Sequence, residues 1–181
     1  MEKKINILGI AGSLRKQSYN RGLLQAAKEL APPSCNLEIF DLDNIPLYNQ
    51  DDEAQFPQSV TLLKTKIRAA DAILIVTPEY NYSIPGVLKN ALDWASRPYG
   101  DGAWDNKPVA IMGASMGEQG TSRAQYHLRQ VFVTLNMHAL NKPEVMVNFA
   151  QNKFDDKGQL IDPKTRQKIA ELLTALIALA Q

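Results

Sequence analysis

Cysteine is almost absent from this sequence: Cys35 is the single thiol in 181 residues. One thiol closes no internal disulfide, so packing must hold the fold together, as it does in a reducing compartment. Cys35 follows Pro32, Pro33 and Ser34. Nothing there supplies the electropositive niche that a reactive thiol needs, so it reads as a structural thiol. Long apolar runs are missing as well. None reaches the roughly 18 residues that a membrane helix requires. The apolar tail at 169–180 is shorter and is preceded by Arg166 and Lys168. The start carries Glu2, Lys3 and Lys4 ahead of a short strand-like run. That arrangement lacks the apolar centre and cleavage site of a secretory leader, and the expected location is the cytoplasm.

Charge of one sign is scarce too. The formal net charge is +1, and no basic run interleaves with aromatics. This excludes the electrostatic footprint of a nucleic-acid binder. The two histidines, His127 and His138, are too far apart in sequence for an obvious metal pair and sit among apolar residues. A metal set needs three or four convergent donors, so no metal is expected. There is no Gly-Lys-Ser/Thr, which argues against a nucleoside triphosphatase. The dinucleotide fingerprint G-x-G-x-x-G also fails: Gly9 and Gly12 are three apart, and Arg15 stands where the third glycine belongs.

What is present is an ordinary globular composition, 45% hydrophobic and 22% charged, in a length that fits one domain. Apolar strands at 5–10, 37–40, 71–77 and 109–114 alternate with helical patterns at 18–30, 58–69, 83–95 and about 121–136. A fifth strand comes from 138–140, from 144–147, or from both. Asp162 and Pro163 then open a last amphipathic helix carrying Ile169, Leu172, Leu173, Leu176 and Ile177. Ser83 and Pro85 read as the cap and first turn of the third helix. The alternation predicts an α/β fold: an open, five-stranded parallel sheet of flavodoxin-like order 2-1-3-4-5, with helices on both faces. The irregular stretch 41–57, with its acidic Asp51, Asp52 and Glu53, is long enough to be a functional or interacting loop, or else a solvated one.

In such sheets ligands bind beyond the carboxyl ends of the strands. Three loops lie there. The first, 13–20, offers Ser13, Arg15, Ser18 and Asn20 ahead of a helix N-terminus, which is the chemistry of a phosphate site. Capping alone would account for Ser18 but not for Ser13 and Arg15 as well. The second, 77–83, holds Glu79, Tyr80, Asn81 and Tyr82, suited to a flat amphipathic ring. Glu79 resembles a catalytic carboxylate, but a structural carboxylate accepting loop N–H bonds is the preferred reading. The third, 115–120, is small and lets backbone approach a ligand edge. Trp94 reads as core, and Trp104 as part of a linker near the cleft.

Together these segments resemble the NADPH-dependent FMN reductase family, and within it the bacterial soluble quinone and chromate reductases. The resemblance is carried by Gly12-Ser13-Leu14-Arg15 with Ser18 and Asn20, by Pro78-Glu79-Tyr80-Asn81, by Ser83-Ile84-Pro85-Gly86 and by Leu88-Lys89-Asn90-Ala91-Leu92-Asp93-Trp94. It continues through Ser115-Met116-Gly117, Tyr126-His127-Leu128-Arg129-Gln130 and Asn141-Lys142-Pro143-Glu144. The resemblance implies non-covalent FMN as cofactor, NAD(P)H as co-substrate, and two-electron hydride transfer through flavin N5 to quinones, with chromate or other electrophiles as further acceptors. Release of reduced flavin and one-electron carriage are the alternatives. It further implies that Ser13, Arg15, Ser18, Tyr19 and Asn20 bind the cofactor at its phosphate end. Pro78, Glu79, Tyr80, Asn81 and Ser115 would line the ring, and no side chain acts as nucleophile. Tyr82 replaces the glycine of many relatives and would narrow the approach to the flavin. Tyr82, Arg123, Tyr126 and Glu144 resemble a network between subunits of a homo-oligomer, dimer or tetramer.

Overall fold

The computed structural model describes residues 4–181, so Glu2 and Lys3 of the charged start lie outside the described residues. The chain runs β1 (Ile5–Ala11), α1 (Tyr19–Glu29), β2 (Cys35–Phe40), α2 (Gln58–Ala69), β3 (Ala72–Val76), α3 (Gly86–Ala95), β4 (Pro108–Ala114) and α4 (Ser122–Thr134). Two short strands, β5 (His138–Ala139) and β6 (Val145–Val147), precede α5 (Pro163–Leu179).

The strand order is 2-1-3-4-5 and every pairing between these strands is parallel, as the flavodoxin-like reading requires. The fifth position is shared. β5 pairs with the start of β4 and β6 with its end, so both candidate segments contribute.

Strand side chains alternate between the two faces of the sheet. Ile7 and Leu74 turn toward α1 and α5, where Leu23, Leu24, Leu172 and Leu176 complete one core. Leu8 and Ile73 turn the other way, toward Leu63, Ile67, Leu92 and Phe132 of α2, α3 and α4. With both faces covered, the strands can be apolar throughout. Each fully buried aliphatic side chain contributes about 1.5–3 kcal/mol relative to exposure.

Three local expectations change. Trp104 is not a cleft residue: it is buried in the second core, and its indole N–H donates to Leu92 O at 3.0 Å. The third helix begins at Gly86 with Pro85 at the cap, so Ser83 belongs to the preceding turn. The segment 41–57 is solvated, with most of its residues exposed, but it is not loose. Pro46 O accepts from the indole of Trp94 and from the Asn90 amide, both at 2.8 Å, and Tyr48 N donates to Asn90 Oδ1 at 2.8 Å. Farther along, Glu53 Oε1 lies 2.5 Å from both Arg97 Nε and the Tyr48 hydroxyl. The segment is thus a strap fastened along α3.

Candidate functional site

β1, β3 and β4 are neighbours in the sheet, so the loops that follow them open at one edge. The loop after β1 turns back into α1. Ser18 caps that helix by accepting from Asn20 N at 3.2 Å, and Ser13 Oγ accepts from Arg15 N at 3.4 Å. Both hydroxyls still have a proton to donate. Among the described residues, the amides of Leu14, Lys16, Gln17 and Tyr19 find no protein partner. Arg15 is exposed and makes no ion pair among the described residues. Unpaired N–H groups, two hydroxyls and a guanidinium at a helix N-terminus fit a phosphate group.

Asn20 departs from a simple phosphate ligand. It is 3% exposed, and its amide exchanges two 2.9 Å hydrogen bonds with the backbone of Ala114. Its main work is to tie the start of α1 to the end of β4. The side chain of Tyr19 packs at a tilt against its neighbour, while its N–H stays among the unpaired amides of the loop. Its ring centroid lies 5.1 Å from that of Phe154 and 5.9 Å from the Arg15 guanidinium carbon.

The loop after β3 is a tight turn. Tyr80 and Ser83 exchange backbone hydrogen bonds at 3.0 Å. Asn81 and Tyr82 between them have φ values of 50° and 68°. Asparagine takes this left-handed conformation at modest cost, whereas tyrosine takes it under strain. Tyr82 is also 67% exposed, with the Arg123 guanidinium carbon 3.7 Å from its ring centroid. Pro78 is buried beneath the turn, while Tyr80 and Asn81 stand at the surface.

Glu79 settles toward its structural reading. Its carboxylate accepts from Arg123 N at 3.1 Å and Ala124 N at 3.3 Å, and pairs with the Arg123 side chain. It therefore caps α4, whose own N-cap residue Thr121 makes no side-chain cap bond. A carboxylate suits this position because the first-turn N–H groups are otherwise orphaned and the helix dipole is positive there.

The loop after β4 is drawn in by Gly113. A Cβ there would collide with Thr77 O and Thr121 Oγ1, so glycine permits the second and third loops to close on each other. Ser115 bonds to Val147 O at 2.9 Å through its N–H and to Ala150 N at 3.0 Å through its carbonyl. Its Oγ accepts from Gly117 N at 3.1 Å.

Of the residues assigned to a subunit network, Arg123 contacts Tyr82, and the Tyr126 hydroxyl donates to Glu144 Oε1 at 3.4 Å, all within one chain. His127 and His138 are exposed rather than set in apolar surroundings, and His127 Nδ1 lies 3.1 Å from Ser83 Oγ. Among the described residues no group of three acidic, histidine or cysteine side chains is placed to hold a metal.

Two parts of the site were not anticipated. Arg21 of α1 bonds Asp41 at 2.5 Å and reaches Ser13 O at 3.5 Å, fastening the back of the first loop to the start of the strap. The segment 147–160 braces the first and third loops. Ala150 N and Phe149 N bond the carbonyls of Ser115 and Gly117, while Phe154 meets Tyr19. The available signal was Gly22 inside α1, a residue that costs a helix interior about 0.5–1 kcal/mol unless something needs the space. A Cβ there would stand 2.5 Å from Gly158 O and 3.0 Å from the Phe154 ring.

A cleft of about 940 Å³ lies on the α1 side of this brace and shares residues 15–19 with the first loop. Its lining sets Arg15, Lys16, Arg21 and Lys157 against Glu29, Asp41, Asp155 and Asp156. Those four basic and four acidic side chains balance, so the anion-binding character of this cleft is concentrated at residues 15–19, where the unpaired N–H groups lie.

The chain as a whole is similar to known proteins. The chain is 55% identical to an NAD(P)H-dependent FMN reductase of Pseudomonas aeruginosa, over 97% of this chain and 95% of the relative. It is 44% identical to a 2-hydroxy-1,4-benzoquinone reductase of a Burkholderia species, over 90% and 89% of the two. The solved structure of FerB, a flavoenzyme NAD(P)H:(acceptor) oxidoreductase of Paracoccus denitrificans, superposes with a TM-score of 0.89 at 34% identity, covering 97% of each chain. Residues 5–152 match the description of one family, and by that match and these identities the chain belongs to the NADPH-dependent FMN reductases.

Proposed function

We propose that this protein is an FMN-dependent oxidoreductase that takes reducing equivalents from NAD(P)H and delivers two electrons to quinones. The observation that carries the reading is the pairing, at one sheet edge, of a donor-rich first loop, with amides that find no partner among the described residues, and the second and third loops. FMN, when bound, supplies the hydride chemistry. The chain's own residues bind and orient. Ser13, Arg15, Ser18 and the free amides through Tyr19 hold the phosphate, and Asn20 fixes their distance from β4. Pro78, Glu79, Tyr80, Asn81 and Ser115 border the ring. Glu79 does so through backbone, since its carboxylate is engaged on α4.

The names of the relatives support the acceptor class. The Burkholderia relative is a benzoquinone reductase, and a protein of Solanum tuberosum named an NAD(P)H:quinone oxidoreductase is 46% identical. Chromate and other electrophiles are proposed as further acceptors, a homodimer or homotetramer as the assembly, and the cytoplasm as the location. The exposed Tyr82, Tyr126 and Val133 support the assembly. No helix among the described residues is long and apolar enough to cross a membrane.

The test is a visible spectrum of the purified protein after incubation with FMN, then anaerobic reduction by NADH or NADPH and reoxidation by a panel of quinones. A protein that remains colourless with FMN sinks the reading. Reduction without quinone turnover removes the quinone assignment. A second reading, release of reduced FMN, follows from the name of the P. aeruginosa relative. Flavin passing through a dialysis membrane during turnover would favour it.

A further inference from the structure

We propose that Phe154 and Tyr19 are positioning residues for Arg15, and that the hairpin carrying Phe154 thereby sets the preference for a phosphorylated flavin over one without phosphate. The inference rests on the first loop being the phosphate site. Arg15 has no carboxylate partner among the described residues, and its long exposed side chain would otherwise sample many rotamers. Among the described residues its guanidinium lies over one aromatic ring, that of Tyr19, 5.9 Å away. A guanidinium at this range is attracted to the face of an aromatic ring.

Tyr19 is itself oriented by Phe154, with centroids 5.1 Å apart and planes inclined at 45°. Phe154 is held from behind. It is buried, and it bridges Leu160 across a hairpin whose turn is closed by Asp155 accepting from Lys157 N at 3.0 Å and Gln159 N at 2.8 Å. Gly22 lets this hairpin seat directly on α1. These contacts lead from the Phe154–Leu160 hairpin through Tyr19 to Arg15, which with Lys16 supplies the cations of the proposed phosphate loop that bear no carboxylate among the described residues. Pre-orienting Arg15 reduces the ordering cost of binding an anion.

Riboflavin is the discriminating probe, because it has the ring of FMN without the phosphate. Apoprotein is titrated with FMN and with riboflavin for wild type, Phe154→Leu, Phe154→Tyr, Arg15→Ala and the Arg15→Ala/Phe154→Leu double variant, with thermal midpoints recorded alongside. Phe154→Leu is expected to weaken FMN binding about 2–5-fold, the size of an exposed cation–π contact, and to leave riboflavin binding unchanged. Phe154→Tyr, which keeps the ring, is expected to restore the preference for FMN. In the Arg15→Ala background Phe154→Leu is expected to have no further effect.

Equal weakening for both flavins would overturn the proposal, since a merely structural hairpin disturbs the site as a whole. So would an unchanged FMN preference in Phe154→Leu, or full additivity in the double variant. A wild type that binds riboflavin as tightly as FMN would instead remove the first loop as the phosphate site, and this proposal with it.

Discussion

A single side chain, Tyr82, carries much of the character of this site. It occupies a left-handed turn position, at φ 68°, where glycine is usual, and Arg123 lies against its ring. For Tyr82→Gly the relief of roughly 1–2 kcal/mol of backbone strain is opposed by the greater chain entropy of glycine and the loss of the cation–π contact. The thermal midpoint should therefore move little. What should change is access: KM for bulky quinones is expected to fall relative to KM for small ones. Equal KM shifts for both would remove Tyr82 from the approach route. Arg15 gives the complementary case of a residue argued from its charge and its place ahead of α1. Arg15→Ala is expected to weaken FMN binding by roughly 1.5–3 kcal/mol, the contribution of a charged hydrogen bond. A calorimetric titration with unchanged affinity would take Arg15 out of the site.

Among the elements, the strap at 41–57 has no regular strand or α-helix, yet it is closely fastened. Hydrogen bonds from Arg97 and then from Tyr48 hold the Glu53 carboxyl below the ordinary carboxylate range. The Tyr48 phenol is pushed up in turn by its hydrogen bond to Glu53 and by burial. Lys64, buried beside Arg97 O and Asp101, is shifted down chiefly by desolvation. A depressed folded pKa means that Glu53 contributes stability above its unfolded value of about 4.3, and that this contribution is lost as pH falls through the lower folded value. Glu53→Gln should therefore lower the urea midpoint at pH 7 and narrow its gap to wild type near pH 3. A gap that is constant with pH would show that the carboxylate charge is not what fastens the strap.

At the scale of the whole molecule, most of the architecture could be read from periodicity, because burial on both faces of a parallel sheet leaves uninterrupted apolar strands such as Ala72–Val76. The donor-rich character of the first loop was readable for a similar reason: hydroxyls and a cation ahead of a helix are local in sequence. What was not readable depends on contacts between distant segments. Glu79 caps a helix more than 40 residues away, Trp104 is drawn into the core by Leu92, and Phe154 reaches Tyr19 across most of the chain. No local pattern encodes such pairings. Gly113 is another such meeting point, since its missing side chain lets Thr77 and Thr121 meet. Gly113→Ala should cost about 1–3 kcal/mol as an overpacked site. Because the displaced atoms belong to the second loop and to the N-cap of α4, FMN affinity should fall with it. A stability loss with intact FMN binding would separate this packing from the site.

The fastening of the strap to α3 also gives the protein an internal optical gauge. The chain has two tryptophans, and both are buried. Trp104 reports on the interior alone, through its bond to Leu92 O, whereas the indole N–H of Trp94 is bonded to the strap itself at Pro46 O. In a Trp104→Phe background, a red shift of the remaining emission would mark detachment of the strap before the sheet unfolds.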